Sequence, residues 1–568
     1  MDKIASRATI ISYNIDGETV CASGARISTT RGDAIEIFEN AKTRGNNPEL
    51  IQKVVKSGHK SVIEHAVFTI AFCNVSAFAE QFFIEFRLAS FTVKSRRYVD
   101  FGKLGYYTPP DLAGDDLPAY RKYMDSLFGA YQSLLEQGAP KEDARFLLPY
   151  AFNSNFYMTI NARELAHIVL AINYGRGANV PELRNLAGQI VEQIKELFPS
   201  LLPDFEQNPA AHNHNGSALC AHGAQGAHYA HDASDTPDAH DTYDTLDPHG
   251  AHGMHDTYNA HYAHDASDTP DAHDTYNALD PHGAHGMHDT YNALDPHGAP
   301  GAQSHVTFLR SDEIGGVELV DSPKDPLALL NMAHHIANPT PATAKAQPID
   351  INSISHAVRP RELEQLSYTF LISNISLSGL THIVRHRMQS IVIPPIQSID
   401  YNKFILPDTV IGNPRLRSQY EQAITEANGA VKQLKIDAAP DKYNNDAALD
   451  MYNNDAAPGK YNTNSALGRY NTNSALGKYI YYFALSGNVM DIMTTMNGRE
   501  LLLFMQLRTC NRAQWEIRNV ATKMLALLRG RFPALFNNYG PSCYTNGYCP
   551  EGKLSCGKMG EVIAKYKC

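Results

Sequence analysis

The residues best equipped for chemistry in this chain are cationic. Arg385, His386 and Arg387 stand in a row within THIVRHRMQS, at the end of an apolar segment. A second basic run, Ser95-Arg96-Arg97-Tyr98, lies in the first half of the chain. Arginine presents a planar fork of N–H donors that matches phosphate and carbonyl oxygens. A histidine held between two arginines tends to stay neutral, because their charges oppose its protonation, and it can then stack or donate. This combination suits a phosphorylated, aromatic ligand. A plainer reading is open at this point: the helix dipole favours cations at a C-terminus, and the triplet is then a solvated helix end.

The elements that must position these groups occur twice. EHAVFTI at 64 parallels EQLSYTF at 364, and Glu64, Thr69, Arg87 and Ser90 recur as Glu364, Thr369, Arg387 and Ser390 at a constant offset of 300. Asn161-Ala-Arg163-Glu164-Leu165 recurs as Asn497-Gly-Arg499-Glu500-Leu501, and ELRNLA at 182–187 recurs as EIRNVA at 516–521. Anchors kept in one order imply two homologous domains, 1–205 and 305–568. Each reads as a strand (65–73; 366–373) leading into a helix (76–89; 376–390). A long helix follows (116–136; 414–436), and two helices close the copy (161–173 and 181–197; 497–508 and 512–530). Strands are few and helices many, so the expected class is α+β, a small sheet packed with helices, rather than a doubly wound sheet. Within 376–390, a helix sets Ser378, His382, Arg385, His386 and Gln389 on one polar stripe, and Pro394-Pro395 stop it.

The copies keep different basic groups. Glu85 and Phe86 stand where the second copy has Arg385 and His386. Pro395-Ile396-Gln397-Ser398 stand where the first has Ser95–Tyr98. A solvated surface needs no such complementarity, so one site drawing on both copies is expected.

Two segments break the pattern. Residues 206–304 hold 16 of the 25 histidines, with HDASDTPDAHDTY at both 231 and 264, and few aliphatic residues. Such a composition cannot bury enough surface to offset chain entropy, so a disordered linker is expected, with metal binding by its histidines as the sharper alternative. Tyrosines at 443, 452, 461, 470 and 479 mark a nine-residue repeat that fits neither helix nor strand, read as an expanded loop at 440–478. The tail at 540–568 carries Cys543, Cys549 and Cys556. Their C-x5-C-x6-C spacing permits a metal knuckle such as zinc, with Cys510 or Cys568 as a fourth ligand, or simply a reduced tail. Eight cysteines in 568 residues do not form a secreted disulfide framework. A net charge of −11 argues against a nucleic-acid or membrane binder. No apolar run reaches the length of a membrane span, and the N-terminus has no apolar stretch long enough for a signal peptide, so a cytoplasmic protein is expected.

On these motifs the chain resembles flavin-dependent thymidylate synthases. The R-H-R triplet and the Ser-Arg-Arg-Tyr run match that family's signature, here split between the copies. GHKSVIEHAVFTI (58–70) is similar to its strand lead-in, with Val62 in place of proline. ARFLLP (144–149), NAREL (161–165), NGREL (497–501) and LRTCNRAQWEIR (507–518) resemble its later blocks. The resemblance implies conversion of dUMP to dTMP with FAD, with methylenetetrahydrofolate and NADPH as co-substrates, in homotetramers whose sites lie between subunits. It implies that Arg385, His386, Arg387, Asn497, Arg499, His59, Ser61, Glu64, Asn161, Arg163 and His167 contact the flavin. It also implies that Arg87, Ser95, Arg97 and Arg145 bind dUMP, and that Arg508 promotes ionisation of the uracil ring. Arg508 lies 11 residues after Asn497, about three helical turns, on one face. An arginine beside uracil N3 stabilises the anion that makes C5 nucleophilic. The plainer role for Arg508 is an ion pair with Glu516.

Departures bear on the reading. The first copy has Val93 at a usually acidic position and Ile172 or Tyr174 where Arg508 falls. The second has Tyr481 at the place of Arg145, and Arg359 and Arg361 at those of His59 and Ser61. Neither copy makes the family's site alone, whereas 385–387 and 508 with 95–97 and 145 complete it. The expected assembly is a homodimer that imitates a tetramer. A catalytically inactive flavin- or nucleotide-binding relative is the competing reading.

Overall fold

In each copy the hydrophobic alternation of one long strand organises a four-stranded antiparallel sheet. In the first copy, β1 (Arg7–Tyr13), β2 (Val67–Ser76), β3 (Ala89–Val93) and β4 (Asn153–Asn161) lie in the order β1-β2-β4-β3. In the second, β6 (Gly316–Asp321), β7 (Ser367–Ser376), β8 (Gln389–Val392) and β10 (Val489–Asn497) lie in the order β6-β7-β10-β8, while the short β5 (Thr307–Leu309) and β9 (Lys403–Ile405) pair in parallel. The computed structural model describes residues 5–206, 306–339, 349–357, 360–437 and 476–567. The His/Asp-rich segment beyond Glu206, and the tyrosine repeats up to residue 475, lie outside the described residues.

Successive side chains of a strand point to opposite faces, so β2 buries Phe68, Ile70 and Phe72, and β7 buries Tyr368, Phe370 and Ile372. Both strands carry an asparagine at positive φ, Asn74 and Asn374, a conformation asparagine tolerates better than most residues. The helices that frame the site in each copy are α1 (Ala77–Ile84), α2 (Asp116–Glu136), α3 (Ala162–Tyr174) and α4 (Pro181–Leu197), then α5 (Leu377–Ile383), α6 (Pro414–Asp437), α7 (Gly498–Arg508) and α8 (Trp515–Arg531). Their starts are fixed by side-chain caps: Ser76 and Ser376 for α1 and α5, Asn161 and Asn497 for α3 and α7. Buried carboxylates brace each copy. Glu182 accepts from the Ser76 amide at 2.8 Å, and Glu516 from the Ser376 amide at 2.7 Å.

The helix expected over 376–390 is shorter. It ends at Ile383, whose carbonyl accepts from the Gln389 side chain at 2.6 Å. Ile391 then joins β8, opposite Thr494 of β10. The β-branched run after Met388 thus pairs in a sheet rather than extending the helix. The first copy repeats this, α1 ending at Ile84 and β3 beginning at Ala89. The central strands β4 and β10 and the edge strands β1 and β6 were not foreseen.

The copies pack together in one compact unit, related by a pseudo-twofold that the hydrogen bonds make visible. Arg87 Nη1 donates to the Gln389 carbonyl at 2.6 Å, and Arg387 Nη1 donates to the Ala89 carbonyl at 3.0 Å. The Tyr150 amide donates to the Ala484 carbonyl at 2.7 Å, and the Ser486 amide to that of Leu148 at 2.9 Å. Each bond has its counterpart with donor and acceptor copies exchanged. Among the described residues, no helix is long and apolar enough to cross a membrane.

Candidate functional site

Arg385, His386 and Arg387 occupy the turn between α5 and β8. Arg385 and Arg387 are exposed, whereas His386 is buried. Its Nδ1 lies 2.8 Å from Glu500 Oε1, and its Nε2 lies 2.8 Å from Arg508 Nε. A guanidinium cannot accept, so Nε2 is the acceptor and the proton sits on Nδ1, donated to Glu500. Burial lowers the pKa of this imidazole, with Glu500 opposing and Arg508 reinforcing that effect. The Arg508 Nη2 donates to the His382 carbonyl at 3.3 Å. Two edges of this guanidinium are therefore held by the protein. The plainer pairing with Glu516 is not formed, since that carboxylate is bound to Ser376.

The first copy supplies the facing wall. Arg97 reaches across to donate to the Arg512 carbonyl at 2.8 Å while its Nε pairs with Glu142 at 3.2 Å. Arg96 forms a buried ion pair with Glu80 at 2.7 Å. Arg145 is 2% exposed, and its Nη2 has no partner; the Nη1 of Arg96 is likewise buried and unpartnered. Ser95 Oγ accepts from the Arg97 amide at 3.3 Å.

Electrostatics show how closely the two walls meet. His382 is held well below the ordinary histidine range by burial, and then by Arg145, Arg508, Arg385 and Arg96. Arg145 is brought down to about 10 by burial, then chiefly by Arg96. Arg508 is brought down to about 10 by burial, then by Arg385 and Arg97. Five arginines from two copies thus share one positive field. A cavity of about 240 Å³ opens among Arg97, Tyr98, His382, Arg508 and Arg512. Crowding like charges is costly unless an anion offsets them, and buried unpartnered N–H groups are what an anion would satisfy.

Most of the other expected contact residues have partners of their own within the protein. Arg87 and Arg387 both clasp the copy interface through backbone carbonyls. The Asn161 and Asn497 side-chain oxygens are engaged as helix caps, accepting from the amides of Glu164 and Glu500. Arg163 pairs with Glu64 at 2.6 Å, and Arg499 pairs with Glu364. His59, Ser61 and His167 are exposed on the first copy, away from the Arg508 guanidinium's own contacts. On α7, Arg499, Leu503 and Leu507 recur every four residues as one exposed stripe, a basic head with an apolar body. Sequence reasoning missed Glu500, Arg512 and the central place of His382. The signals available were the recurrence of Glu500 in the NGREL block and the four-residue spacing of His382 from His386.

The pseudo-twofold image of this site is filled. Phe82, Glu85, Phe86 and Ile172 take the positions of His382, Arg385, His386 and Arg508, and Tyr481 that of Arg145. Arg176 pairs with Glu85 and lies over the Phe82 ring at 4.6 Å. Phe78 and Tyr481 close the space, with ring centroids 4.4 Å apart.

Cys543, Cys549 and Cys556, the candidate metal ligands, lie beside the arginine-lined cavity. Among the described residues no group of three His, Cys, Asp or Glu side chains is arranged to hold a metal ion, and all three thiols are free. The three thiols and Cys510 line the same cavity as Arg97 and Arg508.

Comparison with known proteins matches both halves. The family described as thymidylate synthase complementing protein aligns with residues 9–200 and again with 318–534. A flavin-dependent thymidylate synthase of Geobacter sulfurreducens is 34% identical over 207 residues, covering 35% of this chain and 72% of that protein. One from Sulfolobus acidocaldarius is 30% identical over 211 residues, covering 36% and 78%. Among solved structures, the UMP/dUMP methylase PolB of Streptomyces cacaoi, bound with 5-bromo-dUMP, aligns at 24% identity with a TM-score of 0.30, covering 35% of this chain and 94% of that one.

Proposed function

The chain belongs to the thymidylate synthase complementing protein family in both of its halves, and on that ground we propose that it is a flavin-dependent thymidylate synthase. It methylates dUMP at one composite site per chain, with methylenetetrahydrofolate as carbon donor and NADPH as reductant. The observation that carries this reading is the pair of opposed arginine walls, Arg97 and Arg145 from the first copy and Arg385 and Arg508 from the second.

The roles follow from the chemistry of each group. Arg145 and Arg97, with Ser95, receive the dUMP phosphate: the buried Nη2 of Arg145 gains the oxygen partner it lacks in the protein. Arg508 keeps its Nη1 free of protein partners among the described residues, since Nε and Nη2 are engaged. Placed at uracil N3, it stabilises the ring anion, and charge delocalised onto C5 makes that carbon nucleophilic. The flavin, when bound, supplies the redox chemistry and the relay of the carbon unit. The residues suited to hold it are Arg385, Arg387 and the Arg499 stripe, with Arg163 and His167 the counterparts on the first copy. His386 serves the Arg508 guanidinium rather than lying open to a cofactor. Two chains would assemble as a pseudo-tetramer.

The test is growth of a thymidine-requiring bacterium expressing the full chain, together with the absorption spectrum of the purified protein. Yellow protein with thymidine-independent growth is expected. Arg97→Ala and Arg508→Ala should each abolish growth although they lie in different copies. Co-expressing the two variants should not restore it, because each chain builds its own site. Restoration by the mixture would show that the walls come from different chains, and full activity of Arg97→Ala would refute the composite site.

A further inference from the structure

Glu500, His386 and Arg508 form a chain of contacts that ends at the group proposed to act on the substrate ring. Glu500 Oε1 lies 2.8 Å from His386 Nδ1, and His386 Nε2 lies 2.8 Å from Arg508 Nε. The His386 and Glu500 side chains are 3% and 5% exposed, so water does not compete for either contact. The imidazole is further pinned by the edge of the Phe504 ring, with centroids 4.8 Å apart. Resting on the synthase reading above, we propose that Glu500 is a positioning residue: by fixing the His386 proton on Nδ1 it keeps Nε2 an acceptor, and so aims the Arg508 guanidinium into the cavity.

The reasoning is one of donors and acceptors. Arg508 Nε can only donate, so the neighbouring nitrogen must carry no proton. A neutral imidazole has one proton, and it must then sit on Nδ1, which needs an acceptor in a buried place. Glu500 is that acceptor. Without it, moving the proton to Nε2 satisfies nothing and sets two donors against each other, which drives the guanidinium off its bearing. The first copy underlines the point. It keeps the carboxylate as Glu164, but Phe86 and Ile172 replace the other two members. There Glu164 faces the solvent-facing His167 at 3.6 Å.

Two variants and two readouts separate this role from general support. Glu500→Gln retains an acceptor oxygen for Nδ1–H, and kcat for dTMP formation should stay within about threefold of the parent. Glu500→Leu removes the acceptor, and kcat should fall about 100-fold with KM for dUMP little changed, as expected for a misaimed group rather than a lost binder. The pH profile adds a readout that a merely structural residue would not move. The charged groups facing His386 are Glu500 and Arg508, with burial the largest influence. Protonating Nε2 breaks the Arg508 contact, so activity should fall on an acid limb below the ordinary histidine value. Glu500→Gln removes the negative charge that favours the imidazolium and should move that limb to lower pH. In parallel, 15N NMR of histidine-labelled protein, with His386→Gln identifying the resonance, should show a neutral imidazole protonated at Nδ1. This reading needs no turnover. If the parent protein makes no dTMP but the Nδ1 tautomer is seen, and is lost in Glu500→Leu, the synthase reading fails and the relay stands. If Glu500→Leu keeps kcat within twofold, or His386 is protonated at Nε2, the relay is overturned. If Glu500→Leu does not fold, an unmoved acid limb in Glu500→Gln overturns it instead.

Discussion

Replacing Arg145 with methionine should make the ligand-free protein more stable and the nucleotide complex much weaker. Arg145 is brought down to about 10, well below the ordinary arginine range, by burial and its cationic neighbours. At about 1.4 kcal/mol for each tenfold change in proton affinity, its charge is held about 3 kcal/mol uphill of its state in the unfolded chain. The sign follows directly: a cation with a depressed folded pKa costs stability at every pH below that value, so the full cost is present at neutral pH. Methionine removes the charge and retains much of the side-chain volume. It forfeits the bond from Nε to the Glu142 carbonyl at 3.1 Å, about 1 kcal/mol. A net gain of about 1–2 kcal/mol remains, measurable by urea denaturation of the ligand-free protein. Each charge-assisted hydrogen bond to phosphate contributes about 1.5–3 kcal/mol, so loss of Arg145 should raise the Kd for dUMP about 100-fold by calorimetry. The affinity for deoxyuridine, which has no phosphate, should be unaltered. A variant that is less stable than the parent yet binds dUMP within about threefold of it would refute the assignment of Arg145 to the phosphate.

The filled image site gives a second test. Glu85→Arg with Phe86→His restores the R-H-R triplet to the first copy, but Tyr481 and Ile172 still stand where arginines are needed and Arg176 loses its partner. Flavin per chain by absorbance should not rise, and stability should fall by about 3 kcal/mol or more from the unpaired arginine introduced at the buried Glu85 position; a doubled flavin content would count against a closed image site. The bracing carboxylates give a third. Burial raises the pKa of Glu182 and Glu516 against the hydrogen bonds of Ser76 and Ser376, which lower it. Because the folded state holds these protons more tightly, the contribution of these two groups to stability is greatest below the ordinary glutamate value of about 4.3 and declines as pH rises through the folded value. Glu182→Gln should flatten that decline in denaturation curves taken across the acid range, and an unchanged slope would show that Glu182 is not its source.

Much of this could be read from residue spacing alone. The constant offset of 300 between Arg87 and Arg387 located equivalent positions, and the structure turns that equivalence into a swapped pair of bonds. The long helices were legible because their apolar periodicity runs for many turns. α2 spans Asp116–Glu136 and α4 spans Pro181–Leu197, as the pattern indicates. The short elements were not. The α5 helix is stopped by a contact from Gln389, six residues on, which no local pattern announces. The strands β4 and β10 are central because partners on both sides come from distant sequence. The site was partly legible for the same reason. Arginine patterns named the cations, but the tautomer of His386 depends on Glu500, 114 positions away.

A duplicated chain frees each half from a constraint that binds a symmetric dimer, in which every substitution acts at both sites at once. Here the two interfaces have diverged in opposite physical directions. One gathers Arg96, Arg97, Arg145, Arg385 and Arg508 around His382, an arrangement that repels itself until an anion enters. The other replaces the same positions with Phe82, Phe86, Ile172 and Tyr481, which bury apolar area, the Phe82 and Phe86 rings lying 5.6 Å apart and Tyr481 packing against Phe78. Full burial of one such side chain contributes about 1.5–3 kcal/mol, comparable to what one crowded arginine takes away. The filled image site thus offsets the strain of the open one across a single pseudo-twofold. Because Arg97 is tethered to the Arg512 carbonyl and Asp143 accepts from Trp515 at 2.8 Å, the cationic cluster exists only where the two copies meet. Its chemistry belongs to the interface and not to either half.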